Sequence, residues 1–160
     1  MPSVSAANGT VTIAITFHAT AEKIAGEFTS GGLSQRERNL AVEIFRLMMQ
    51  DAETRVRQAL AQELKACPYL PHELATLMAH DVEQVAVPVL QFSAVLTDAD
   101  LVDIVETLNR SKQRAIAKRS RVSAAVSAAL VDHGDSEVVI ELLRNTGATI
   151  EEPALIQAVQ

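Results

Sequence analysis

The chain has no tryptophan, one tyrosine and four phenylalanines among its 160 residues. Its core must therefore be built from Ala, Val, Leu, Ile and Met, and small aliphatic side chains of this kind suit closely packed helices. Cysteine is equally scarce. Cys67 stands alone, which excludes an intrachain disulfide and an all-thiolate metal site, and its position before Pro68 reads as a buried helix-end thiol. Charged residues break every apolar run well short of the roughly 18 residues a membrane helix needs, so a transmembrane span is excluded. The first residues lack the basic start and apolar block of a signal peptide, and a reducing cytoplasm is the expected location. The six glycines are too scattered for a phosphate-binding loop, and neither a Walker sequence nor a dinucleotide fingerprint occurs.

A 48% hydrophobic content supplies a core for one domain, and 21% charged residues keep its surface solvated, which rules out disorder of the whole chain. The net charge of -6 conceals blocks. Residues 66–109 hold no Lys or Arg and seven acids, Asp98, Asp100, Asp103 and Glu106 among them, whereas residues 110–121 hold six bases and no acid. Those bases are Arg110, Lys112, Arg114, Lys118, Arg119 and Arg121. At about 100° per helical residue, Arg110, Arg114 and Lys118 fall in one sector, joined by Arg121 if the helix continues. Such a run is either a solvated face neutralised by neighbouring acids or a patch that meets a partner.

Val11, Ile13, Ile15 and Phe17 alternate with polar or small residues in the period of a strand. Residues 1–18 are accordingly expected as an extended arm, a strand paired with its counterpart in a homodimer, a helix despite the pattern, or a disordered tail. The rest of the chain reads as helical. A short helix over 20–29 is ended by Ser30, Gly31 and Gly32; Ser34 and Glu37 then form a capping box for a helix whose apolar stripe is Leu40, Ile44, Leu47 and Met48. Asp51 is expected to cap the next helix, which runs to about Ala66, and Pro68 and Pro71 break the chain.

From there the sequence repeats. Leu70-Pro71, Leu96-Thr97 and Val122-Ser123 recur at 26 residues, with Ala148-Thr149 in phase for a fourth, and each opens an apolar helix followed by a shorter one near 82–92, 111–119 and 136–144. Asp81 and Asp135 are placed to cap the shorter helices, and Pro88 lies inside one of them. Helix pairs at a fixed period predict an all-α solenoid in which each unit buries its apolar face against the next.

The stretch from Met49 to Ala61, with Asp51 at a helix start and Arg57 six positions later, resembles a HEAT-type repeat. The resemblance implies a short right-handed α-α superhelix of antiparallel helix pairs, in which Asp51 and Arg57, with Asp81 and Asp135 in corresponding places, form a ladder between repeats. The positions six after Asp81 and Asp135 are Val87 and Glu141, so the motif is complete only once. The 26-residue period is also closer to the leucine-rich-variant type of repeat. Further motifs, Leu33-Ser34-Gln35-Arg36-Glu37-Arg38, Arg55 to Ala61, Val85 to Leu90, Leu96 to Leu101 and Ala115 to Arg119, resemble an uncharacterised bacterial family catalogued as domain of unknown function 2336. That resemblance implies a helical repeat fold in a bacterial cytoplasmic protein and carries no active-site residues.

Catalytic constellations are not evident. His18, His72, His80 and His133 form no metal-binding spacing beyond the eight residues between His72 and His80, and the carboxylate pairs sit where helix starts need them. No metal and no cofactor are expected. The sequence therefore points to a non-catalytic interaction scaffold whose basic run meets an acidic protein partner. Nucleic-acid binding is the alternative, because HEAT-like proteins include DNA glycosylases that hold a duplex on a basic concave face. Residues 110–121 lack the interleaved aromatics that base stacking requires.

Overall fold

A computed structural model describes residues 18–160. The expected arm or strand, and any homodimer through it, lie outside the described residues except for His18, which is helical. Ten helices follow among the described residues: α1 (18–30), α2 (Gln35–Asp51), α3 (Thr54–Leu64), α4 (His72–Ala79), α5 (Glu83–Phe92), α6 (Asp98–Glu106), α7 (Arg110–Ala117), α8 (Ala124–His133), α9 (Ser136–Arg144) and α10 (Glu152–Ala158). They form two layers. In one, α3, α5, α7 and α9 pack in succession; in the other, α2 meets α4, and α6, α8 and α10 follow one another. The arrangement is solenoid-like and all-helical.

The 26-residue period is carried by the core. Met78, Ile104 and Leu130 are in phase and buried, and so are Leu64, Leu90, Ile116 and Leu142 in the other layer. Each unit thus places one large aliphatic side chain per helix at the seam with the next. The openings are in phase too. Thr97 caps α6 in a capping box with Asp100, and Ser123 caps α8 through the Val126 N–H. The fourth opening does not start a helix: Val122 and Ala148 form an isolated parallel bridge, the Thr149 N–H donates to Val122 O at 2.8 Å, and α10 begins only at Glu152. Gly147 makes this approach possible, because a Cβ there would collide with the Ser120 carbonyl.

Two sequence expectations are corrected at α2. Its buried face is Ala41, Phe45, Met48 and Met49, with Phe45 edge-on to Phe28 at 5.4 Å, while Leu40 and Leu47 are exposed. Leucine hydrophobicity alone placed the stripe one residue off, and the ring pair fixes the helix rotation. Asp51 is the last residue of α2 rather than the cap of α3, because the Ala52 N–H still bonds to Met48 O; Glu53 is the N-cap and makes no side-chain bond.

One buried polar atom breaks the pattern of the core. Ser127 is in phase with Ala75 and Leu101, fully buried, and its hydroxyl has no partner among the described residues. Ser127→Ala is expected to raise the unfolding free energy by about 1 kcal/mol, since an unpaired buried hydroxyl carries its full desolvation cost. A urea denaturation midpoint that moves up with an unchanged slope would show it.

Candidate functional site: the open face of the α3, α5 and α7 layer

The six bases of the 110–121 run have separate fates, because α7 packs between α5 and α9 and only one of its faces reaches solvent. Arg110 pairs with Asp135, the N-cap of α9. The Val138 N–H bonded to that carboxylate, with Arg110 beside it, outweighs burial and holds Asp135 below the usual aspartate value. Lys112 is buried, and its ammonium donates to Ala79 O at 3.1 Å and Asp81 O at 2.7 Å. Burial depresses its pKa despite the nearby Asp81 and Glu83 carboxylates. Arg119 donates to Leu90 O at 2.5 Å and Ser93 O at 2.7 Å, closing the C-terminal end of α5, and burial lowers its pKa as well. Lys112 and Arg119 are thus committed to the interior of the stack.

Arg114, Lys118 and Arg121 remain exposed or half-buried. Arg114 has only loose contacts to Glu137 at 3.6 Å and Glu141 at 3.8 Å. The side chains of Lys118 and Arg121 make no hydrogen bond or ion pair among the described residues, although the Lys118 backbone N–H bonds to Arg114 O. The helix ends at Ala117, with Lys118 as its C-cap, so Arg121 does not continue the stripe. The acids of α6 lie in the other layer. Asp100 closes the α6 capping box and sits 2.7 Å from His72 Nε2; burial raises its pKa, and the bonds from His72 and Thr97 more than reverse this.

Between the starts of the helices runs a ladder unlike the expected one. Arg57 on α3 makes a two-pronged pair with Asp81 before α5, at 2.7 and 2.9 Å. Asn109 before α7 donates to Glu83 on α5 at 3.1 Å, and Arg110 reaches Asp135 before α9. Asp51 has no place in it, and Asp81 stands one residue ahead of the α5 cap, Val82. At the opposite ends, Arg119 donates to the carbonyl of Ser93 and Asn145 to that of Arg119, two rungs separated by one 26-residue period.

What the stack leaves open is a groove of about 560 Å³ across α3, α5 and α7. Val87, Pro88 and Ala115 form its apolar floor. Gln62 of α3, Gln84 and Gln91 of α5, and Ser111 of α7 line it with hydrogen-bonding groups, Arg114 and Lys118 form one wall, and Glu83 stands at the edge. The glutamines escaped the sequence reading because carboxamides carry no motif. Their only signal was spacing, Gln84 and Gln91 being seven residues apart on a helix whose inward residues are aliphatic. No aromatic ring among the described residues lines the groove.

A second depression of about 350 Å³ lies between α8, α9 and α10, lined by Val139, Ile140 and Leu143 together with Asp135, Ser136 and Gln157. Among the described residues no group of three or more His, Cys, Asp or Glu gathers as metal ligands, and no helix is long and apolar enough to cross a membrane. No curated protein and no solved structure matches the chain. The motifs at Leu33–Arg38 and Arg55–Ala61 lie ahead of residues 85–160, whereas α7 and most of α5, which supply most of the groove, lie inside that stretch. Residues 85–160 match a family model described as an uncharacterised protein conserved in bacteria, DUF2336.

Proposed function

We propose that the chain is a non-catalytic docking module, a scaffold or adaptor that holds another protein against the open face of its α3, α5 and α7 layer. The observation that carries this reading is the placement of Arg114 and Lys118. One helical turn apart on α7, they stand beside a groove of hydrogen-bonding side chains, while Lys112 and Arg119 are turned inward. The two cations favour an acidic partner, and their exposure makes the electrostatic part of binding sensitive to salt.

The test is affinity capture from bacterial lysate at low and physiological salt, comparing wild type with Arg114→Glu/Lys118→Glu and with Ile140→Glu. Arg119 is left intact because its guanidinium holds the end of α5. A protein retained by wild type, kept by Ile140→Glu and lost by the double variant is the expected outcome. The purified partner should then bind the double variant at least about tenfold more weakly. Retention of nucleic acid instead, with affinity falling steeply as salt rises, would transfer the site to a polyanion. Identical profiles for all three proteins would remove the groove as the binding surface.

A further inference from the structure

We propose, building on the docking reading above, that the groove takes an extended peptide segment with an acidic side chain, held through its main chain by the glutamine carboxamides. A carboxamide carries an acceptor and two donors, which is what a peptide unit needs to have both its N–H and its C=O satisfied. Gln84 and Gln91 both open onto the groove from α5. Two helical turns separate them, about 10.5 Å along the axis, and an extended chain covers that distance in about three residues. A strand-like segment lying along α5 therefore meets both carboxamides in a single register. Gln62 and Ser111 flank this line on either side, from α3 and α7.

Pro88 lies inside α5 and lacks the N–H that would close the helical bond to the carbonyl of Gln84. Both residues line the groove, and a peptide N–H that met the Gln84 carbonyl would take the place of the missing donor. The floor is shallow. Val87, Pro88 and Ala115 are too small and too closely set to form the deep apolar pockets that anchor an amphipathic helix.

Charge sets the direction. Arg114 and Lys118 wall the groove on the α7 side and Glu83 stands at its edge. The contacts of Arg114 with Glu137 and Glu141, at 3.6 and 3.8 Å between partly exposed groups, are weak enough for an incoming carboxylate to replace. An Asp or Glu side chain of the segment fits this wall. Two cations beside a row of carboxamides do not make the continuous basic track that a nucleic-acid backbone requires.

The experiment pans a displayed library of random short peptides against the full chain. The strongest binder is then measured by fluorescence anisotropy, with single-stranded DNA as competitor. Enriched sequences are expected to share one acidic position. The selected peptide should lose about tenfold in affinity for Arg114→Glu/Lys118→Glu, and about three- to tenfold for Gln91→Ala, a change at a residue that lines the groove. N-methylation of single peptide bonds should weaken binding at two positions about three residues apart, which a side-chain-only mode would not show. An absence of enriched peptides overturns the assignment, as do apolar helical peptides indifferent to Gln91→Ala or displacement by single-stranded DNA. If panning fails while a protein is still captured by wild type and lost by Arg114→Glu/Lys118→Glu, the docking reading stands and the extended-peptide occupant falls.

Discussion

Replacing Arg57 by alanine is expected to cost about 3 kcal/mol of unfolding free energy, the range found when one member of a largely buried ion pair is removed. The Arg57 guanidinium bonds to both oxygens of Asp81 at 2.7 and 2.9 Å and to Ala52 O at 2.6 Å, tying the α2–α3 turn to the α4–α5 turn. The two side chains are only 17% and 12% exposed, so little water replaces the lost partner. In the variant, Asp81 keeps its charge and the Val82 N–H but loses both prongs. Arg57→Ala/Asp81→Ala should therefore be less destabilised than the sum of the single changes, which a double-mutant cycle measures. Acid reports the same pair. Burial alone would raise the Asp81 pKa, but Arg57, the Val82 N–H and the nearby Lys112 outweigh it and hold it below the ordinary 3.8. The contribution of the pair is thus complete above that value and lost as pH falls through the lower folded value. In Arg57→Ala the unpaired carboxylate prefers its proton, so the stability gap between the two proteins should narrow on acidification. A gap that stays constant from neutral pH down to about pH 3 would show that Arg57 acts through the Ala52 carbonyl instead.

The repeat was legible where side chains keep the same role in successive units. Leu96 and Val122 fill the seam, and Thr97 and Ser123 satisfy the first free N–H groups of a helix wherever they occur. Arg57, Asp81 and Asp135 were named as ladder residues through the HEAT resemblance, but which groups they join was not legible, because the rungs connect positions 24 to 26 residues apart and do not repeat one chemistry: an arginine–aspartate fork, an asparagine–glutamate bond, and a second arginine–aspartate pair. Asp51 drew the eye as a cap only because it precedes a helix, yet the preceding helix claims it first. The groove was half visible. Helical spacing set Arg114 and Lys118 in one sector apart from Lys112 and Arg119, but spacing alone does not say which sector is buried. The inward face of α7 is the reason. It consists of Lys112, Gln113, Ala115, Ile116 and Ala117, too polar to announce itself as a core face, because two of its members are there to satisfy carbonyls rather than to fill space.

This double duty of α7 explains why a basic run sits in the middle of an acidic chain. The ends of α4, α6 and α8 leave carbonyls pointing into the junction between units, and α7 is the helix that crosses all of them. Lys112 reaches Ala79 O and Asp81 O, while Gln113 donates to Val105 O and His133 O at 2.8 and 3.2 Å. Donor-rich side chains are needed there whether or not a partner ever binds. Of the six bases only Arg114 and Lys118 line the groove proposed for docking, so that proposed surface is narrower than the sequence charge suggests.

Lys112→Met isolates that internal role and is expected to destabilise the protein by about 2 kcal/mol near neutral pH, since two buried carbonyls lose their donor. Shape is not at issue: the in-phase residues of the other units are Leu60, Ala86 and Val138, all buried, and methionine retains the aliphatic stem of lysine. The loss is partly offset because the variant no longer buries an ammonium. That offset is pH-dependent, and its sign follows from the direction of the shift. Burial depresses the folded pKa of Lys112 below the ordinary 10.5, with Asp81 and Glu83 opposing it only in part. Between the folded and unfolded values the unfolded chain holds the proton more tightly, so the stability of wild type gains with rising pH over that alkaline window, and the methionine variant has no such term. The neutral amine still donates to both carbonyls, so the bonds survive deprotonation. The difference between wild type and Lys112→Met should accordingly widen from about pH 8 to about pH 10 in urea denaturation. A difference that shrinks over this interval would mean that the Lys112 charge is stabilised by Asp81 and Glu83 more than it is penalised by burial, and that its role is an ion pair rather than a staple between helix ends.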